Sequence, residues 1–241
     1  MESKKINIIP KEKSEIKVVK KETTKLHEES ISKVFYIEGK RIPFTHQKTL
    51  ANCGPLAIAN GVNALRGVND KFNLSKEFPS SSQGIRKLLS SDPDLRRSYK
   101  GVELATEIEK DSCVLQGEHI ANLIKKLAAE SNIRIIVDRF SSAGLIPSGD
   151  FEKRVIGSDW LILHKNYHYT SFVKINNNDW ISLDSMNNQP VEVNQKFIED
   201  SFRDILPKVV PFFMAMKVED AIKIILKENK IVITKKEKEH L

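Results

Sequence analysis

Cysteine is scarce in this chain: two residues in 241, Cys53 and Cys113. Two thiols exclude a disulfide framework and a closed cysteine-rich zinc site, and they fit a reducing compartment. Long apolar runs are missing as well, and none approaches the roughly 18 residues of a membrane-spanning helix. The opening stretch, MESKKINIIPKEKSEIKVVKKETTK, lacks the apolar core of a signal peptide. The expectation is a cytosolic protein, a description that also covers an effector delivered into a host cytosol. Aromatics make up 7% of the residues, and the net charge of +7 is spread thinly. Residues 1–30 hold eight Lys against six Glu, and residues 217–241 hold seven Lys against five acids. With no dense basic stripe and no aromatic platform beside one, nucleic acid is not an expected partner. No membrane contact and no cofactor are expected either, and the chain reads as a monomer.

What is present is enough apolar sequence, 40%, for one sizeable core. Residues 1–33 read as a flexible Lys/Glu-rich tail, 34–217 as the folded domain, and 218–241 as a helix, a strand and a charged end. Val34–Ile37 and Arg41–Ile42 read as a hairpin, with Pro43 limiting further pairing. Residues 53–66 are apolar almost all round, the mark of a buried helix. Pro55 suits its first turn, where a missing N–H is tolerated. Residues 83–90, 118–130 and 195–202 read as helices. IRIIVD (133–138) reads as a buried strand, SSAGLIPSGD (141–150) as a long loop. Strands follow at 159–164, 167–175 and 179–185, with another in 209–218. Helices first and a mostly antiparallel sheet afterwards is an α+β order.

Cys53 stands at the start of the buried helix. Free N–H groups and the macrodipole at a helix N-terminus favour a thiolate, the nucleophilic form. A cysteine hydrolase also needs donors for the oxyanion that develops in the transition state. The Cys53 backbone N–H is one candidate and the Gln47 amide, six residues upstream, is another. Asn52 is a further candidate donor. Of the six histidines, His27 and His240 lie in polar tails, and His46 has no acid at strand spacing. His168 opens a strand that ends at Asn176-Asn177-Asn178. With those three residues as the hairpin loop, Thr170 faces Asp184 and His168 stands on the diagonal. Diagonal pairs are roughly 7–8 Å apart, within reach of a His–Asp hydrogen bond that would orient the ring. A loop of two or four residues would turn Asp184 to the other face. His164 and His168 are four apart, but they fall on strand–turn–strand sequence with no third metal ligand. Cys113 reads as structural or incidental.

The order Gln47, Cys53, His168, Asp184 is similar to that of papain-like cysteine proteases. More locally, FYIEGKRIPFTHQKTLANCGPLAIANGVNALRG (35–67) resembles the catalytic-cysteine region of the MINDY deubiquitinases. There a hairpin leads through a Gln to the Cys and a Leu-Ala-Ile-x-Asn helix. WLILHKNYHYTSFVKINNNDWISLDSMN (160–187) resembles that family's His strand and its return strand ending in Asp. The family reads Gly-Pro-Cys-Pro where this chain has Asn52-Cys53-Gly54-Pro55. The resemblance implies a papain-like fold with Cys53 as nucleophile, His168 as base, Asp184 as its orienting acid and Gln47 in the oxyanion hole. It implies an isopeptidase for ubiquitin or polyubiquitin, with a preference for chains linked through ubiquitin's Lys48. A narrow channel for ubiquitin's Gly-Gly end is then expected, with Trp180, Tyr169 and loop 141–150 as walls. Josephin-type deubiquitinases have a similar compact spacing, and bacteriocin-processing peptidases share Cys-Gly-Pro. The ubiquitin-like-protein proteases place His before Cys, against the order here. Two other readings are a papain-like enzyme acting on a non-ubiquitin acyl group, and a silent ubiquitin-binding module.

Overall fold

The computed structural model describes residues 32–91, 108–110, 114–115, 117–137, 155–203 and 212–219. The tails before Ser32 and after Glu219, loop 141–150 and Cys113 lie outside them. The class is α+β: four helices and a mostly antiparallel sheet among the described residues. A two-stranded hairpin, β1 (Ser32–Ile37) and β2 (Lys40–Thr45), leads in. It turns tightly at Glu38 and Gly39, both at positive φ. Pro43 does not end the pairing as its type suggested, because it stands opposite Val34 well inside the ladder. Hydrogen-bonded and non-bonded pairs alternate in an antiparallel ladder. Counted from the tight turn, Pro43 falls on a non-bonded pair, where no N–H is needed.

A short 3-10 turn, Leu50–Asn52, runs directly into α1 (Cys53–Val68). Then come α2 (Ser82–Ser91) and α3 (Gly117–Ala129). The strands that follow are β3 (Ile133–Val137), β4 (Trp160–Lys165), β5 (His168–Lys174), β6 (Asp179–Leu183) and β7 (Val191–Asn194). Helix α4 (Gln195–Arg203) and strand β8 (Phe212–Val218) end the described chain. The six strands lie in the order β3-β8-β4-β5-β6-β7, every neighbour antiparallel.

Strand side chains alternate between two cores. Trp160, Ile162, Tyr169, Val173, Ile181, Leu183, Met214 and Met216 join Cys53, Ala57, Ile58 and the rest of α1. Leu161, Leu163, Phe172, Trp180, Phe213 and Ala215 face the other way, with Ile198 of α4. Covered on both faces, β4 reads as a continuous apolar run rather than an alternating one. Two expectations are corrected by this arrangement. β3 is not a buried strand: it lies at the sheet edge, with Arg134 exposed and Ile135 and Ile136 half-buried. Trp180 is not a channel wall: it is fully buried in the second core, away from α1. β7, short and mostly exposed, has too little apolar character to be read from sequence.

Close approach of α1 to the sheet depends on Gly61. A Cβ there would fall inside the Trp160 indole, whose Nε1 donates to Ser171 Oγ at 2.6 Å. Asn60, fully buried on the same helix, accepts from Thr45 N–H at 2.9 Å and donates to Thr45 O at 3.0 Å. The end of β2 is thereby fastened to α1, and this sets where the chain enters residues 46–52.

Candidate active site

Cys53 is the first residue of α1 and is 2% exposed. Gly54, beside it, lets the side chains of Ile120 and Tyr169 approach the helix start. His168 is the first residue of β5, directly after a two-residue turn at Asn166 and Tyr167, both at positive φ. The β5–β6 ladder pairs Ser171 with Leu183 and Lys174 with Trp180. Ile175 N–H donates to Asp179 O, leaving Asn176–Asn178 as the three-residue loop. The register therefore sets Thr170 against Asp184, and His168 reaches across the diagonal. Its Nε2 stands 2.7 Å from Asp184 Oδ1.

Cys53 lies near enough to His168 to act on the ring's proton affinity. With Nε2 on the carboxylate, Nδ1 is the ring nitrogen left for the thiol. Burial pulls the His168 imidazole down. The hydrogen bond to Asp184 and its charge, with the neighbouring Cys53 side chain, outweigh burial and raise it from 6.5 to about 9. Burial pushes Asp184 up in turn, but the hydrogen bonds from His168 and from Met186 N–H (2.9 Å) hold it below its usual value. Cys53, His168 and Asp184 are thus brought together, with the His168–Asp184 hydrogen bond as the fixed link.

Gln47 is brought in from the far side of the sequence. Its N–H donates to Ser185 O at 2.8 Å, and its Oε1 accepts from Ser185 Oγ at 2.6 Å. The His46 ring Nδ1 donates to Asn187 O at 3.0 Å. Loop 46–47 is stitched in this way to the turn that follows Asp184. With the amide oxygen of buried Gln47 engaged, its NH2 is the end left for a ligand. Ser185, 1% exposed, is a site residue that sequence reading missed. Its only signal was a place next to the acid.

Asn52 adjoins Cys53 in sequence, and its oxygen is already engaged. Oδ1 accepts from Ser82 Oγ (3.1 Å), Arg86 Nε (3.0 Å) and Arg86 Nη2 (2.8 Å). His164 stacks on Tyr169, with ring centroids 4.4 Å apart. Among the described residues no group of three His, Cys, Asp or Glu could hold a metal ion. No described helix is long and apolar enough to cross a membrane. A scan against protein-family models finds no match, and a search of curated proteins finds no significant relative.

Proposed function

We propose that the protein is a papain-like cysteine isopeptidase acting on ubiquitin or polyubiquitin chains. The observation that carries the chemistry is the meeting of Cys53, at the start of a buried helix, with the hydrogen-bonded pair His168–Asp184. In this reading Cys53 Sγ attacks the scissile carbonyl while Gln47 donates to the oxyanion. The C–N bond breaks, the His168 proton passes to the departing lysine amine, and a thioester remains. Water then attacks the thioester and gives its proton to His168. Cys53 is released as the thiol, and ubiquitin leaves with a free carboxylate. A histidine raised to about 9 keeps its proton at neutral pH, ready for the leaving amine.

The ubiquitin assignment rests on the sequence resemblance to MINDY enzymes. The 2% exposure of Cys53 supports it, because only a thin chain such as Gly-Gly can reach so enclosed a sulfur. A cytoplasmic setting and a Lys48-linkage preference belong to the same reading. A papain-like enzyme for another acyl group is the second reading, favoured by the same four side chains, which specify acyl transfer and not its substrate.

The test is a ubiquitin probe with a C-terminal electrophile. Wild type and Cys113→Ala should form the adduct, and Cys53→Ala should not. Rapid capture of Cys53 by iodoacetamide with no ubiquitin adduct would favour the second reading. A Cys53 inert to both reagents would reduce it to a core residue.

A further inference from the structure

Arg86 is a fully buried arginine in the middle of α2 that reaches the segment entering α1 and the backbone of Ile108. Nη2 donates to Ala51 O at 2.8 Å, Nη1 to Ile108 O at 2.9 Å, and Nε and Nη2 share Asn52 Oδ1. Burying a guanidinium is costly unless such partners are supplied. Its placement against the two residues before the nucleophile therefore calls for an explanation beyond packing.

Asn52 supplies a second observation. It occupies the N-cap of α1, where an asparagine oxygen ordinarily accepts from a first-turn N–H and stabilises the helix by about 1 kcal/mol. Here it makes no such cap. The oxygen is turned instead to Arg86 and Ser82. Three donors on one atom also settle which end of the amide is oxygen. Nδ2 takes no hydrogen-bond partner among the described residues. Nδ2 is thus the end of the amide left uncommitted, on the residue adjoining Cys53. Gln47 is arranged in the same way, with its oxygen pinned by Ser185.

We propose that Arg86 is a positioning residue for the oxyanion. By holding the Asn52 oxygen, it prevents that oxygen from capping α1 and presents Nδ2 as a second side-chain donor beside Gln47. This rests on the reading of Cys53 as a nucleophile that becomes acylated, but not on ubiquitin as the substrate.

The experiment separates a step that passes through an oxyanion from one that does not. Cys53-dependent acylation by p-nitrophenyl acetate forms the S–acyl bond and expels p-nitrophenolate through a tetrahedral oxyanion. Alkylation by iodoacetamide displaces iodide at a saturated carbon. Asn52→Ala should slow acylation by about 10²-fold and Arg86→Met by a similar factor, while alkylation changes by less than about threefold. Because Arg86 acts through Asn52, the double variant should be no slower than the slower single variant. Arg86→Lys keeps the charge but cannot span all three acceptors. It should show the same split and serves if Arg86→Met does not fold. Parallel loss of acylation and alkylation, multiplicative effects in the double variant, or an unchanged acylation rate in Asn52→Ala would overturn the proposal. Selective acylation of Cys53 without ubiquitin adduct would remove the ubiquitin reading and leave this one standing. Inertness of Cys53 to ester and iodoacetamide alike would remove both.

Discussion

Ser185 shows how a small side chain can govern a larger one. Its hydroxyl donates to Gln47 Oε1, and without it the amide is free to turn its oxygen toward the developing oxyanion. Ser185→Ala should lower kcat by about tenfold, a fraction of the loss seen when a whole oxyanion donor is removed. KM and the rate of iodoacetamide capture should hold. Steady-state kinetics on a ubiquitin substrate would check this, and a rise in KM with unchanged kcat would refute it. Cys53, His168 and Asp184 could be picked out from sequence because each has a local cue. The cues are a helix start, a strand start and the parity of a three-residue loop. Ser185 and Arg86 carry no such cue. Gln47 and Ser185 are 138 residues apart, and Asn52 and Arg86 are 34 apart. Their roles exist only once the elements are packed.

Helix α1 carries Cys53, and its placement is controlled at two neighbouring positions. Gly61 admits the Trp160 ring, and Asn60 holds β2 through both polar groups of Thr45. Asn60→Leu would leave a buried N–H and a buried C=O unpaired, each costing about 1–3 kcal/mol. Denaturant melts should show a loss of at least about 2 kcal/mol by that estimate. In molecules that remain folded, the ubiquitin-probe rate should fall further than the iodoacetamide rate, since Gln47 hangs from the loosened strand while Cys53 sits on the helix. Equal losses in both rates would count against this coupling. The helices were legible in outline from their apolar periodicity, and α1 differs from its expected span only by one further half-turn. β3 was not legible as an edge strand. Its isoleucines report their own hydrophobicity, but not how many neighbours the sheet supplies.

Stability of the assembled protein should carry the signature of the His168–Asp184 pair. A histidine whose folded value is raised from 6.5 to about 9 contributes stability that is complete below about pH 6.5. That contribution is lost as the pH rises through about 9. Asp184, held below 3.8 in the fold, contributes stability above that value and loses it as the pH falls through its folded one. Wild type should therefore exceed Asp184→Asn in unfolding free energy near pH 6, and the gap should narrow between pH 6.5 and about 9. A gap constant across that range would show that the pair does not couple protonation to folding. The chain's own sequence was sufficient for the α+β order, the buried helix, the hairpin parity and the identity of the candidate nucleophile, base and acid. All of these depend on spacing within one element or one hairpin. Only the tertiary structure decided that Pro43 lies inside a ladder, that Trp180 belongs to the second core, and that Ser185 and Arg86 hold the amides around Cys53. Those outcomes depend on which distant groups meet, and no local pattern of residues encodes the partner across such separations.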